Sequence, residues 1–150
     1  MRWVWPLLLL GLAAPAVAEP ALSESIRFYR VSALTADGLR KEMAQNGPEG
    51  YWGYGRWTLR WSANCKVRLK TTIDLPRHSR PTALPPDLRR AWDAMVTALL
   101  AHERQHTTHG LQAALEIERS KCRNPHDIVD RWSAEDKRLD RRTDHGLKDG

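Results

Sequence analysis

A chain of 150 residues with 41% hydrophobic and 28% charged residues, nine Gly and nine Pro has the composition of one soluble globular domain. That balance excludes a disordered tail, a collagen-like fibre and a two-domain architecture. With Arg2 set aside, 23 Lys and Arg face 18 Asp and Glu, and the cations read as scattered over every segment, usually beside acids. A solvated basic surface is expected, with only loose attraction to anionic envelope lipids and no nucleic-acid partner.

The first eighteen residues read as a secretory signal: Arg2, the apolar run Leu7-Leu8-Leu9-Leu10-Gly11-Leu12, and Ala16-Val17-Ala18 as a small-x-small cleavage site. Pro6 and Pro15 interrupt the stretch, which falls short of the roughly 20 apolar residues of a spanning helix. The expected division is therefore 1–18 signal peptide and 19–150 single domain, periplasmic or secreted. No transmembrane segment is expected once the signal is removed. Export places Cys65 and Cys122 where thiols oxidise, which predicts one disulfide. Thiolate zinc ligation is the weaker reading, because neither Cys belongs to a CxxC or Cys-His pair at finger spacing.

Along the mature chain, Ser25-Ile26-Arg27-Phe28-Tyr29-Arg30-Val31 alternates as a half-buried strand does. Thr35 can cap a short helix through Leu39 and Met43, stopped by Asn46-Gly47-Pro48. Trp57, Leu59 and Trp61, then Val67, Leu69, Thr71 and Ile73, recur at period two and predict two antiparallel strands joined at Ser62-Ala63-Asn64. Leu75-Pro76 should end the second strand. The aromatic residues read as one covered sheet face rather than a stacking platform.

Pro76 to Pro86 is expected to be a loop, and Pro86 opens a long helix with Asp87 against its positive end. Leu88, Trp92, Met95, Leu99, His102, His106 and His109 share one stripe of it, and the helix either continues or breaks at Gly110. Asn124-Pro125 is a firm break, followed by a polar helix from about Asp127 to Asp140. The expected fold class is α+β, a small antiparallel sheet packed on a long zinc-binding helix in a zincin-like arrangement.

His102-Glu103-Arg104-Gln105-His106 matches His-Glu-x-x-His. On a helix, residues four apart share a face, so both imidazoles can bind one Zn²⁺ while the intervening Glu103 acts on a bound water. With six His and eight Glu, about one accidental match is expected per hundred such chains. A catalytic zinc needs a third protein ligand. Spacing alone leaves His109, Glu116, His126 and His145 as alternatives, with His109 two turns from His102 and better suited to lining the site.

The chain resembles a bacterial family catalogued as domain of unknown function 922, whose members are predicted to be secreted zinc-dependent proteases. The resemblance is carried by Trp57-Thr58-Leu59-Arg60-Trp61, Cys65, Ile73-Asp74-Leu75-Pro76, Trp92-Asp93-Ala94-Met95 leading into the His102–His106 motif, and Asp140-Arg141-x-Thr143-x-His145-Gly146. It implies His145 as the third ligand, with Asp140 and Thr143 as orienting groups. The family segment usually carries Tyr where this chain has Leu139. The functional expectation is a zinc metallohydrolase, a peptidase acting on protein or peptide, with cell-wall peptide as one candidate and Glu103 as the base. The alternative is a non-catalytic, zinc-stabilised binding or assembly module of the cell envelope.

Overall fold

The computed structural model describes residues 19–146 and 148, so the signal segment lies outside the described residues. Three strands and three helices run in the order β1 (Ala21–Val31), α1 (Ala36–Asn46), β2 (Tyr54–Trp61), β3 (Val67–His78), α2 (Pro86–Arg119) and α3 (Pro125–Thr143). The α+β class holds. No described helix is long and apolar enough to cross a membrane.

The sheet order is β1-β3-β2, and the sheet is mixed rather than antiparallel. β2 and β3 pair antiparallel, with Leu59 opposite Leu69, whereas β1 runs parallel to β3, with Ile26 opposite Ile73. Strand alternation reads the same in either orientation; what permits the parallel pair is the long connection through α1 and β2. β3 also continues past Pro76 to His78. Pairing with β2 stops at Asp74, so at Pro76 that side of β3 is free and a residue without an N–H breaks no ladder bond there. The proline-rich connector is accordingly shorter than expected, a single tight turn at Pro81–Ala83 before Pro86 begins α2.

Thr35 caps α1 as expected, its hydroxyl accepting from the Gly38 N–H at 3.2 Å. The α2 helix is unbroken through Gly110. A Cβ at that position would lie 2.5 Å from the Trp57 ring, so the glycine lets β2 and its tryptophan close directly onto the helix. Val67 and Leu69 pack with Ala113, Ala114 and Ile117, while Ile73 and Leu75 pack with Leu99. The core is therefore the layer between α2 and one face of β3. A second cluster, Val31, Leu39, Met43, Leu84 and Trp92, seats α1 against the start of α2.

Cys65 and Cys122 form the expected disulfide, with 5.6 Å between Cα atoms and a sequence separation of 57. On the chain-entropy account such a closure contributes about 4 kcal/mol. It pins the hairpin between α2 and α3 to the β2–β3 turn, and this fixes how α3 returns along α2.

Candidate metal centre

The α2–α3 hairpin builds the site in successive rungs. Glu116 on α2 accepts from the Trp132 indole at 3.1 Å, His109 Nδ1 meets Asp136 Oδ1 at 2.6 Å, and His106 Nδ1 meets the same oxygen at 3.1 Å. One turn nearer the α2 start, His106 Nε2 and His102 Nε2 lie 3.1 and 3.4 Å from Asp140 Oδ1. As one helix descends the other ascends, so the hairpin turn alone sets which residues face each other.

His102 and His106 are both buried, and their Nε2 atoms are 3.3 Å apart. The donors of His102, His106 and Asp140 thus form a near-equilateral triangle. Zinc bonds of roughly 2.0–2.1 Å to nitrogen and oxygen place ligand atoms about 3.3 Å apart in a tetrahedral site, so this donor set fits that ion. The fit extends one layer out. With Asp136 holding Nδ1–H of His106, the tautomer that turns the Nε2 lone pair into the site is the favoured one. Asp136 also accepts from the Trp57 indole at 2.7 Å. Burial works against its ionised form, but the bonds from His106, His109 and Trp57 hold its carboxyl below the usual range. Burial likewise opposes the His106 cation, yet Asp136 and Asp140 raise its pKa overall.

Glu103 lies between these histidines on the inner face of α2, only 4% exposed. Burial pushes its carboxyl up, against the opposing pull of His106, His102 and the Gly55 N–H, which donates to Oε2 at 2.6 Å. Gly53 and Gly55 allow this approach: a Cβ on Gly53 would meet Oε1 at 2.7 Å, and one on Gly55 would meet the Glu103 backbone oxygen at 2.6 Å. Tyr29, whose hydroxyl donates to the Trp52 carbonyl at 2.6 Å, ties this segment to the sheet.

The tail folds back over the centre. His145 Nδ1 is 3.8 Å from Asp140 Oδ1, its ring is tilted against Tyr51 at 5.0 Å, and Gly146 at φ 83° passes so close to the His102 ring that a Cβ would come within 2.9 Å. Thr143 is buried, and its hydroxyl accepts from the Gly146 N–H, which shapes that turn. The result is a cleft of about 890 Å³ lined by Tyr51, Trp52 and Tyr54 on one side and by Ala91, Ala94, Met95 and Leu99 on the other, with the His–Asp cluster at its floor.

The remaining sequence alternatives fall elsewhere. His126 sits edge-on to Trp61 at the opposite end of the hairpin, and Glu116 is paired with Arg131 and Trp132. His109 reaches Asp136 rather than His102, with its ring against Trp132. Leu139 is buried in the core. Asp136 was not singled out by sequence reasoning. The signal was present: Asp136, Asp140 and Thr143 recur at four and three on an otherwise polar helix, which is one stripe.

A family model described as bacterial protein of unknown function (DUF922) matches residues 26–146. The chain belongs to that family. No curated protein and no solved structure matches it.

Proposed function

We propose that this chain is an exported zinc-dependent hydrolase acting on peptide bonds. The observation that carries the proposal is the triangle of His102 Nε2, His106 Nε2 and Asp140 Oδ1, 3.1–3.4 Å on each side, with the Glu103 carboxylate beside it at the floor of an open cleft. His102 and His106 hold the metal through Nε2. Asp140 supplies the third ligand, the place that the family resemblance gave to His145. His145, 3.8 Å from Asp140, is next in reach and covers the cleft mouth.

Bound in that position, zinc supplies a Lewis acid for a substrate carbonyl and lowers the pKa of a water molecule. The protein supplies the rest. Glu103 takes the proton of the attacking water on Oε1, because Oε2 is held by Gly55, and later returns it to the leaving amine. Asp136 keeps the His106 ring oriented, and the aromatic wall from Tyr51 to Tyr54 excludes bulk water from one side of the cleft.

A second reading has its own support. Glu103 Oε2 ties α2 to β2 through Gly55, so the carboxylate also has a structural use, as it would in a zinc-stabilised binding or assembly module. Metal analysis of the purified mature chain, paired with cleavage assays on unfolded proteins and cell-wall peptides with and without chelator, separates the readings. One zinc per chain with chelator-sensitive cleavage supports the hydrolase. Zinc without cleavage supports the module.

A further inference from the structure

The cations that look scattered along the sequence are gathered by the sheet. On β3, Val67, Leu69, Thr71, Ile73 and Leu75 face α2, so Arg68, Lys70, Thr72 and Asp74 face away from it. The register adds Arg56, Thr58 and Arg60 from β2, and Ser23, Ser25 and Arg27 from β1, to that same outer face. Five cations, Arg27, Arg56, Arg60, Arg68 and Lys70, there meet one carboxylate, Asp74, a net charge of four. Of the 23 Lys and Arg and 18 Asp and Glu in residues 19–150, eighteen cations and seventeen acids remain for everything else. Nearly the whole positive excess of the domain therefore lies on one face of one sheet.

The arrangement within the face is unfavourable for an isolated protein. Asp74 is committed to Arg27 at 2.8 Å and Arg56 at 2.6 Å. Arg60 stands directly opposite Arg68 across the β2–β3 ladder, and like charges so placed destabilise a sheet. Among the described residues no carboxylate lies within ion-pair distance of Arg60, Arg68 or Lys70, and all three are exposed. An anion supplied from outside relieves that repulsion.

We propose that this face docks on the anionic headgroup surface of a phospholipid bilayer. The side chains between the cations, Ser23, Ser25, Thr58 and Thr72, are small, so the face is a broad platform. Arg60, Arg68 and Lys70 line neither of the two main clefts, which disfavours a small anion held in a pocket. The exposed apolar side chains of the edge strand β1, Leu22, Ile26 and Phe28, are in register with Leu69, Ile73 and Leu75 and so lie on the other face, which leaves the platform itself polar and cationic. A net charge of four spread over three strands, with neither main cleft at Arg60, Arg68 or Lys70, matches the extended negative plane of a headgroup layer. Docking by this face leaves α2 and the cleft on the opposite side of the sheet, directed away from the lipid.

The test uses the mature, disulfide-bonded protein as purified, sedimented with vesicles of phosphatidylcholine alone or mixed with phosphatidylglycerol. Binding is expected only to the anionic vesicles, and it should be lost at about 0.5 M salt, where the screening length falls to a few ångströms. A triple variant, Arg60→Gln, Arg68→Gln and Lys70→Gln, should weaken partitioning on the order of 100-fold, at about fivefold per charge. A control with the same charge change at exposed helical positions, Lys41→Gln, Arg89→Gln and Arg119→Gln, should bind within a few-fold of wild type. Unchanged metal content and melting temperature confirm that both variants are folded. Equal losses in the two variants, equal binding to neutral vesicles, or binding to soluble polyphosphate but not to vesicles would each overturn the proposal.

Discussion

The Trp57 indole on β2 donates to Asp136 on α3 at 2.7 Å, and the other oxygen of the same carboxylate meets His106 and His109. One carboxylate thus links the sheet to His106, a ring of the proposed metal site. Partners of this kind fix ligand orientation, and their loss costs roughly 10- to 100-fold in metal affinity. Asp136→Asn should therefore bind zinc more weakly by about that factor while keeping the disulfide and the far-ultraviolet spectrum. Trp57→Phe, which removes the donor but keeps the ring, should have a smaller effect. Competition with a chromophoric chelator measures both, and unchanged affinity in Asp136→Asn would remove the carboxylate from the site.

Gly110 separates two opposing expectations. In an exposed helix interior, Gly→Ala gains about 1 kcal/mol from helix propensity. Here the new Cβ would lie 2.5 Å from the Trp57 ring and 2.6 Å from its Cβ, so the steric cost decides the sign. Gly110→Ala is expected to destabilise the protein by about 1–3 kcal/mol, as overpacking of a core contact does. Urea unfolding at neutral pH reads the difference. A gain in stability would mean that β2 can move away from α2 at little cost.

The third ligand is decided by two substitutions. Asp140→Ala removes the oxygen that lies 3.1–3.4 Å from both Nε2 atoms, and His145→Ala removes an imidazole at the half-exposed mouth. Asp140→Ala should lose most of the zinc and, because binding energy of a site linking α2 to α3 contributes to folding, should melt at a lower temperature. His145→Ala should retain most of it. Zinc analysis after dialysis gives the ranking, and the reverse order would return the third position to His145.

Much of this site was legible in the sequence because its signals are local. His102, Glu103 and His106 declare themselves by a spacing of four on an apolar stripe, and the αL turn at Asn124 before Pro125 is where the hairpin break was expected. Asp136 was passed over although it shares a stripe with Asp140 and Thr143, since carboxylates on a polar helix look solvated until the hairpin turns them toward His106 and His109. The parallel pairing of β1 was hidden for a related reason: side-chain alternation fixes a face and not a direction. The cationic face was obscured by the same period of two. Arg56, Arg60, Lys66, Arg68 and Lys70 do fall within fifteen residues that hold no acid, but which of them share a face follows only from the β2–β3 register, which sets Arg60 directly opposite Arg68.

Glu103→Gln tests the chemistry itself. The substitution preserves side-chain length and helix propensity, and the amide oxygen can still accept from the Gly55 N–H that now donates at 2.6 Å. Glu103 is outside the ligand triangle, so zinc content and melting temperature should stay near those of wild type. Only the proton acceptor is lost. A positioned general base is commonly worth 10² to 10⁴ in rate, roughly 3–5 kcal/mol of barrier, and cleavage should fall by at least that much. Wild type and variant are compared on the same panel of unfolded proteins and cell-wall peptides, with zinc measured in the same samples. Equal cleavage by both would place any activity outside this site. A variant that keeps zinc but unfolds more readily, beside a wild type that cleaves nothing, would leave Glu103 as the tie between α2 and β2 and favour the binding module.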